Sequence, residues 1–154
     1  MINIVLYQPE IPQNTGNIAR LCACTGANLI LVGKLGFSLS DKHTKRSGLD
    51  YWEQVNIEKV LTFEEVHKNA PKEANFYYFS TKGARKYTEV NYKSGDYLVF
   101  GSEGKGLPKD IMELAGKNLV TLPMIKDTRS LNLSNTVAVG VYETIRQGVL
   151  LCTN

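Results

Sequence analysis

A chain of 154 residues, 43% hydrophobic and 21% charged, is long enough for one full domain with its own core and too short for two ordinary ones. That composition excludes a disordered chain, and no run approaches the ~18 consecutive apolar residues that read as a membrane span. The net charge of +3 permits a nucleic-acid partner without requiring one, because the sequence pI of 8.7 falls short of the usual basic signature.

The three cysteines, Cys22, Cys24 and Cys152, form no even framework and no CxxC pair, which points to reduced thiols in a cytoplasmic protein. The Met-Ile-Asn-Ile start carries no basic leader. The expected organisation is a single domain over residues 1–154.

Ile2 to Tyr7 is a short apolar run that suits a buried strand. Pro9 and Pro12 break the chain after it. Asn14 or Thr15 is expected to open a helix through about Thr25, with Ile18, Leu21, Cys22 and Thr25 on one face and Gly26 as the stop. Asn28 to Val32 reads as a second strand, and strand, helix, strand with short connections favours a parallel sheet. From Lys34 to Arg46 the composition turns basic. Glu53 to Ile57 is expected as a strand, and Thr62 to Asn69 as a helix opened by a capping box of Thr62 and Glu65. Asn75 to Ser80 is a firm strand, followed by a second basic cluster of Lys82, Arg85 and Lys86. Tyr97 to Phe100 is a buried strand, Pro108 to Ala115 a helix, Asn118 to Leu122 the last strand and Leu133 to about Leu150 the last helix. The fold class that emerges is α/β, with about six strands and helices on both faces of the sheet.

Three stretches carry chemistry. The glycine loop Gly101 to Gly106 comes after a strand and precedes a helix, where backbone amides approach a ligand closely. It is neither a Walker A loop, lacking a Ser or Thr after Lys105, nor a dinucleotide fingerprint, its order being GxxGxG. Glu103 within it suits either a ribose hydroxyl or a helix end. In Asn14-Thr-Gly-Asn-Ile-Ala-Arg20, Asn17 and Arg20 share one side of a helix. Arginine can grip phosphate in a bidentate fork, the plainer alternative being a cap at Asn14 and a surface charge at Arg20. The loop before the last helix gathers Asp127, Arg129, Ser130, Asn132, Ser134 and Asn135, and such polar density between buried elements marks a site more often than a spacer. Along that helix Gly140, Thr144 and Gly148 form a smooth ridge, for an intramolecular neighbour or for a dimer partner.

The only histidines, His43 and His67, have no Cys or carboxylate at metal spacing, so no metal is expected. No GxSxG elbow is present. Catalysis would fall to Arg, Asn, Ser, Tyr and backbone groups, with a reactive cofactor.

NTGNIAR, YLVFGSEGKGLP and LPM…RSLNLSNTVAVGVYE, in that order behind NIVLYQPEIPQN, resemble the SPOUT RNA methyltransferases over nearly the whole chain. More closely, they resemble the small tRNA 2′-O-methyltransferases that modify the wobble nucleotide, C or a modified U, of leucine tRNAs. The Gly104-Lys105 form of the glycine loop is similar to other SPOUT 2′-O-methyltransferases as well. Methylation of another tRNA or rRNA site therefore stands as an alternative, and a non-catalytic RNA-binding module as an alternative of another class. The resemblance implies a C-terminal trefoil knot, a homodimer with the last helix in its interface, and S-adenosyl-L-methionine bound in the knotted loops. Carried over by position, the cofactor would meet Phe79, Thr81, Gly101, Glu103, Gly106, Leu122, Met124, Ser130, Leu131 and Leu133. Arg20, with Asn14 beside it, matches the catalytic position, and Asn135 and Tyr142 match positions near the cofactor or dimer. Arg20 would act either as general base or, more economically, by holding the neighbouring phosphate and stabilising the developing alkoxide. Lys42, Lys45, Arg46, Lys82 and Arg129 are the expected tRNA contacts. Tyr51 or Trp52 could stack a splayed base, with core packing the alternative for Trp52. No membrane partner is expected.

Overall fold

The structure, a computed structural model, describes residues 1–39 and 55–150. Lys42, His43, Lys45, Arg46, Tyr51, Trp52 and Cys152 lie outside the described residues, and so do the contacts expected of them.

In chain order the elements are β1 (Asn3–Tyr7), α1 (Pro12–Thr25), β2 (Asn28–Val32), β3 (Ile57–Val60), α2 (Phe63–Asn69), β4 (Phe76–Phe79), β5 (Arg85–Lys86), β6 (Tyr97–Phe100), α3 (Lys109–Ala115), β7 (Leu119–Thr121) and α4 (Leu133–Arg146). The strands form one sheet in the order β3-β2-β1-β6-β4-β7-β5, and every paired neighbour is parallel. A parallel sheet of this kind needs both faces covered, and alternate residues of each strand supply the two cores. Ile4, Leu6, Leu29, Leu31, Phe79 and Phe100 pack with α1 and α4. Val5, Ile30, Val32, Tyr78 and Val99 pack with α2 and α3.

Four boundaries differ from expectation. Helix α1 begins at Pro12: a proline in the first turn forfeits an N–H that has no helical partner anyway, so Pro12 starts the helix where a break was expected. The strand expected at Glu53–Ile57 lies at Ile57–Val60, an edge strand in which only Val60 is buried, so it lacks the apolar run that marks central strands. Arg85–Lys86 adds a seventh strand beyond the six expected, too short and too charged to be read as one. The last helix stops at Arg146, with Gln147 as its cap and Gly148 in the left-handed region at φ 72°.

Two expected caps are present. Gly26 closes α1 in the left-handed conformation, its N–H bonded to the Cys22 carbonyl. At α2 the Thr62 hydroxyl accepts from the Glu65 N–H, while the Glu65 carboxylate reaches back one residue further, to the N–H of Leu61. Cys22 and Cys24 are free thiols; burial pushes the Cys22 thiol up to about 12, which leaves it protonated and unreactive.

Candidate active site

The carboxyl ends of β6, β4 and β7 open into a cavity of about 450 Å³, the place where open α/β sheets bind ligands. Three chain segments make its walls: the ends of β4 and β6 with the glycine loop, the start of α1, and the segment from Thr121 to Thr136. Phe79, Thr81, Gly101, Glu103, Gly106, Leu122, Met124, Ser130, Leu131 and Leu133 all line it, as does Asn14.

Two glycines allow close approach around the cavity. A Cβ on Gly101 would lie 2.0 Å from the carbonyl carbon of Gly106 and 2.2 Å from the nitrogen of Leu107, so only glycine lets the loop fold back on its own start. The turn is pinned by the Gly106 N–H donating to the Ser102 carbonyl at 2.9 Å and by the Lys105 N–H donating to the Ser102 hydroxyl at 3.3 Å. Gly140 of α4 sits over Phe79 and Phe100, whose rings stack at 4.5 Å. Of the ridge expected along the last helix, Gly140 and Thr144 are buried and face inward, while Gly148 is exposed beyond the end of α4; Val139 and Tyr142 are 37% and 57% exposed.

Glu103 meets a helix end. Its carboxylate accepts from the N–H of Glu10 at 2.7 Å, the N–H of Ile11 at 3.1 Å and the Asn14 side chain at 3.0 Å. Helix α1 has no capping side chain of its own; an acidic group brought from far along the chain meets its positive end. The Glu10 carboxylate in turn accepts from the Gly104 N–H at 3.1 Å. Asn14 is 4% exposed, and its side-chain oxygen accepts from Asn132 at 3.0 Å. Asn132 caps α4, accepting from the N–H groups of Ser134 at 2.8 Å and Asn135 at 3.4 Å. Asn14 is thus spent on holding neighbours together.

Other expected residues lie elsewhere. Arg20 is exposed on α1 and off the cavity of its own chain. Lys82 is exposed on the rim, and Arg129 is exposed in the 122–132 segment without lining the wall. Arg85 donates to the Glu89 carbonyl at 2.6 Å. Asn135 and Tyr142 are exposed on α4, away from the cavity. Ile11, Ser80, Leu107, Met112 and Thr121 also line it without any sequence signal, and so does Asn132, which stood out only as one of the polar residues of the last loop. Among the described residues there is no cluster fit for a metal ion, and no helix is long and apolar enough to cross a membrane.

Residues 1–142 match the SpoU rRNA Methylase family. The tRNA (cytidine(34)-2′-O)-methyltransferase of Saccharophagus degradans is 47% identical over 148 residues, covering 96% of each chain. A solved structure described as "Structural insights into the 2-OH methylation of C/U34 on tRNA" superposes with a TM-score of 0.90 at 44% identity, over 96% of this chain and 95% of that one. The AdoMet-bound rRNA methyltransferase of Sinorhizobium meliloti aligns at 25% identity with a TM-score of 0.81, over 94% of this chain and 56% of that one.

Proposed function

The chain belongs to the SpoU rRNA Methylase family, and from that premise we propose that it methylates the ribose 2′-hydroxyl of the wobble nucleotide of tRNA, C34 or a modified U34, with S-adenosylmethionine as methyl donor. Relatives that share nearly half its residues over their full length are named for that reaction. The observation that carries the reading is convergence: ten residues from three separate segments, each matched to a cofactor contact by motif alone, line one cavity.

The cavity suits the cofactor. Its volume lies within the ~300–1,000 Å³ of small-molecule sites. Phe79, Leu122, Met124, Leu131 and Leu133 give apolar walls, and glycine-rich backbone gives close polar approach. When bound, S-adenosylmethionine supplies a methyl group activated by its sulfonium.

This chain's own residues then bind and orient. The glycine loop and the 122–133 segment would hold the donor. Arg20 grips the phosphate beside the acceptor ribose and stabilises charge developing on the 2′-oxygen. Because Arg20 is off the cavity of its own chain, it serves the cavity of a second copy. Tyr142 and Val139, exposed on α4, supply the apolar part of that symmetric contact. Lys82 and Arg129 flank the cavity and contact the tRNA backbone. A trefoil knot is supported by β7 lying between β4 and β5 although residues 80–84 alone connect those two. The whole chain works as one domain in the cytoplasm, where its substrate is.

The test is to map ribose methylation in RNA from cells lacking the protein, then restore it with protein and S-adenosylmethionine alone. Loss and recovery at nucleotide 34 is expected. Methylation at another position would sink the wobble assignment, and RNA binding without methyl transfer would sink the enzyme.

A further inference from the structure

We infer that Asn132 is a positioning residue of this site: it completes a side-chain relay of fixed polarity, Glu103–Asn14–Asn132, that holds the glycine loop, the start of α1 and the last loop in register around the cavity. The inference rests on the reading of that cavity as the cofactor site.

The relay has direction because its two ends are chemically one-sided. The Glu103 carboxylate only accepts, and Asn14 must therefore turn its amide nitrogen toward it, at 3.0 Å. That leaves the Asn14 oxygen facing Asn132, whose amide nitrogen donates at 3.0 Å. The Asn132 oxygen is then left for the N–H groups of Ser134 and Asn135, which only donate. An isolated side-chain amide can sit either way round; here neither can flip without setting acceptor on acceptor or donor on donor. Asn14 is buried, so water cannot relieve a mismatch there. The links join residues 89 and 118 positions apart, so this is tertiary register rather than local capping.

The capping and positioning roles of Asn132 separate by substitution. Aspartate and serine cap helices about as well as asparagine, so Asn132→Asp and Asn132→Ser keep α4 closed. The aspartate has no donor for Asn14 and places an acceptor against its oxygen, while the serine replaces the amide N–H with a hydroxyl on a shorter side chain that falls short of Asn14.

The experiment is amide hydrogen exchange on the ligand-free protein, with calorimetric binding of S-adenosylhomocysteine alongside. In Asn132→Asp and Asn132→Ser, exchange at Gly104 and Gly106 is expected to quicken at least ~10-fold, the loss of about one hydrogen bond's protection. Exchange in α4 stays at wild-type values. S-adenosylhomocysteine affinity falls in parallel. Unchanged exchange at Gly104 and Gly106 in both variants would overturn the relay. Wild-type protein that fails to bind S-adenosylhomocysteine would overturn the cofactor reading instead, while the exchange rates still decide the relay.

Discussion

Glu10 and Glu103 hold the two sides of the cavity together by a reciprocal exchange. The Glu10 N–H donates to the Glu103 carboxylate at 2.7 Å, and the Glu10 carboxylate accepts from Gly104, the next residue of the same loop, at 3.1 Å. Glu103 also takes donors from Ile11 and Asn14. Glu103→Ala strands all of these donors at once. Hydrogen bonds to charged groups contribute ~1.5–3 kcal/mol apiece, but two of the three are solvent-exposed, so a loss of about 2 kcal/mol is expected. A urea titration measures it; a midpoint equal to wild type would remove Glu103 from the helix end.

Two glycines in contact with neighbours should answer differently to alanine. At Gly101 the added Cβ meets fixed backbone at 2.0 Å, so the loop must open; the stability cost should reach the upper end of the ~1–3 kcal/mol of overpacking, with S-adenosylhomocysteine binding lost. At Gly140 the nearest atoms are ring carbons of Phe79 at 3.1 and 3.3 Å. There the crowding is partly offset by alanine's ~1 kcal/mol helix preference. Thermal melts of Gly101→Ala and Gly140→Ala read the contrast, which equal losses would refute.

The proposed dimer has Arg20 of one subunit serve the cavity of the other. Arg20→Ala should lower kcat by ~10²–10³ with little change in S-adenosylhomocysteine affinity. Gly101→Val should abolish cofactor binding. Mixing the two inactive proteins and allowing subunits to exchange yields hybrids with one intact site, so about a quarter of wild-type turnover should return for a symmetric dimer. If no activity returns, Arg20 acts within its own chain or not at all.

His67 makes stability depend on acid. Its ring stacks on Phe76 at 4.0 Å and shares a hydrogen bond with the Tyr78 hydroxyl at 3.0 Å. Burial lowers its pKa from the ordinary 6.5, the nearby Glu64 carboxylate opposing the shift. The unfolded chain therefore takes up this proton more readily than the folded one. The stability contributed is complete above about pH 6.5 and is lost as pH falls through the lower folded value. Urea midpoints across that range should decline for wild type and decline less for His67→Gln; parallel curves would contradict the assignment.

Much of this was legible in the sequence for physical reasons. Central strands such as Tyr97–Phe100 are buried on both faces and announce themselves as unbroken apolar runs. Ile57–Val60 sits at the sheet edge with one buried residue, and Arg85–Lys86 is held by its partner β7 alone, so neither carries a local signal. Cavity residues were found where motifs recur with fixed spacing. The use of Glu103 as a distant cap for α1, and of Asn132 as a link to Asn14, depends on contacts some ninety residues or more apart, which no local pattern records.

The position of β7 ties the cavity to a distant strand pairing. Leu119–Thr121 lies between Phe76–Phe79 and Arg85–Lys86, and a Cβ on Gly83, in the connection that bridges them, would lie 2.6 Å from the Val120 carbonyl carbon. Pairings so distant along the chain form slowly, and the wall that Leu122 to Leu133 supply to the cavity follows directly on β7. That wall is therefore tied to one of the long-range pairings of the fold, and loosening β7 would loosen the cavity with it.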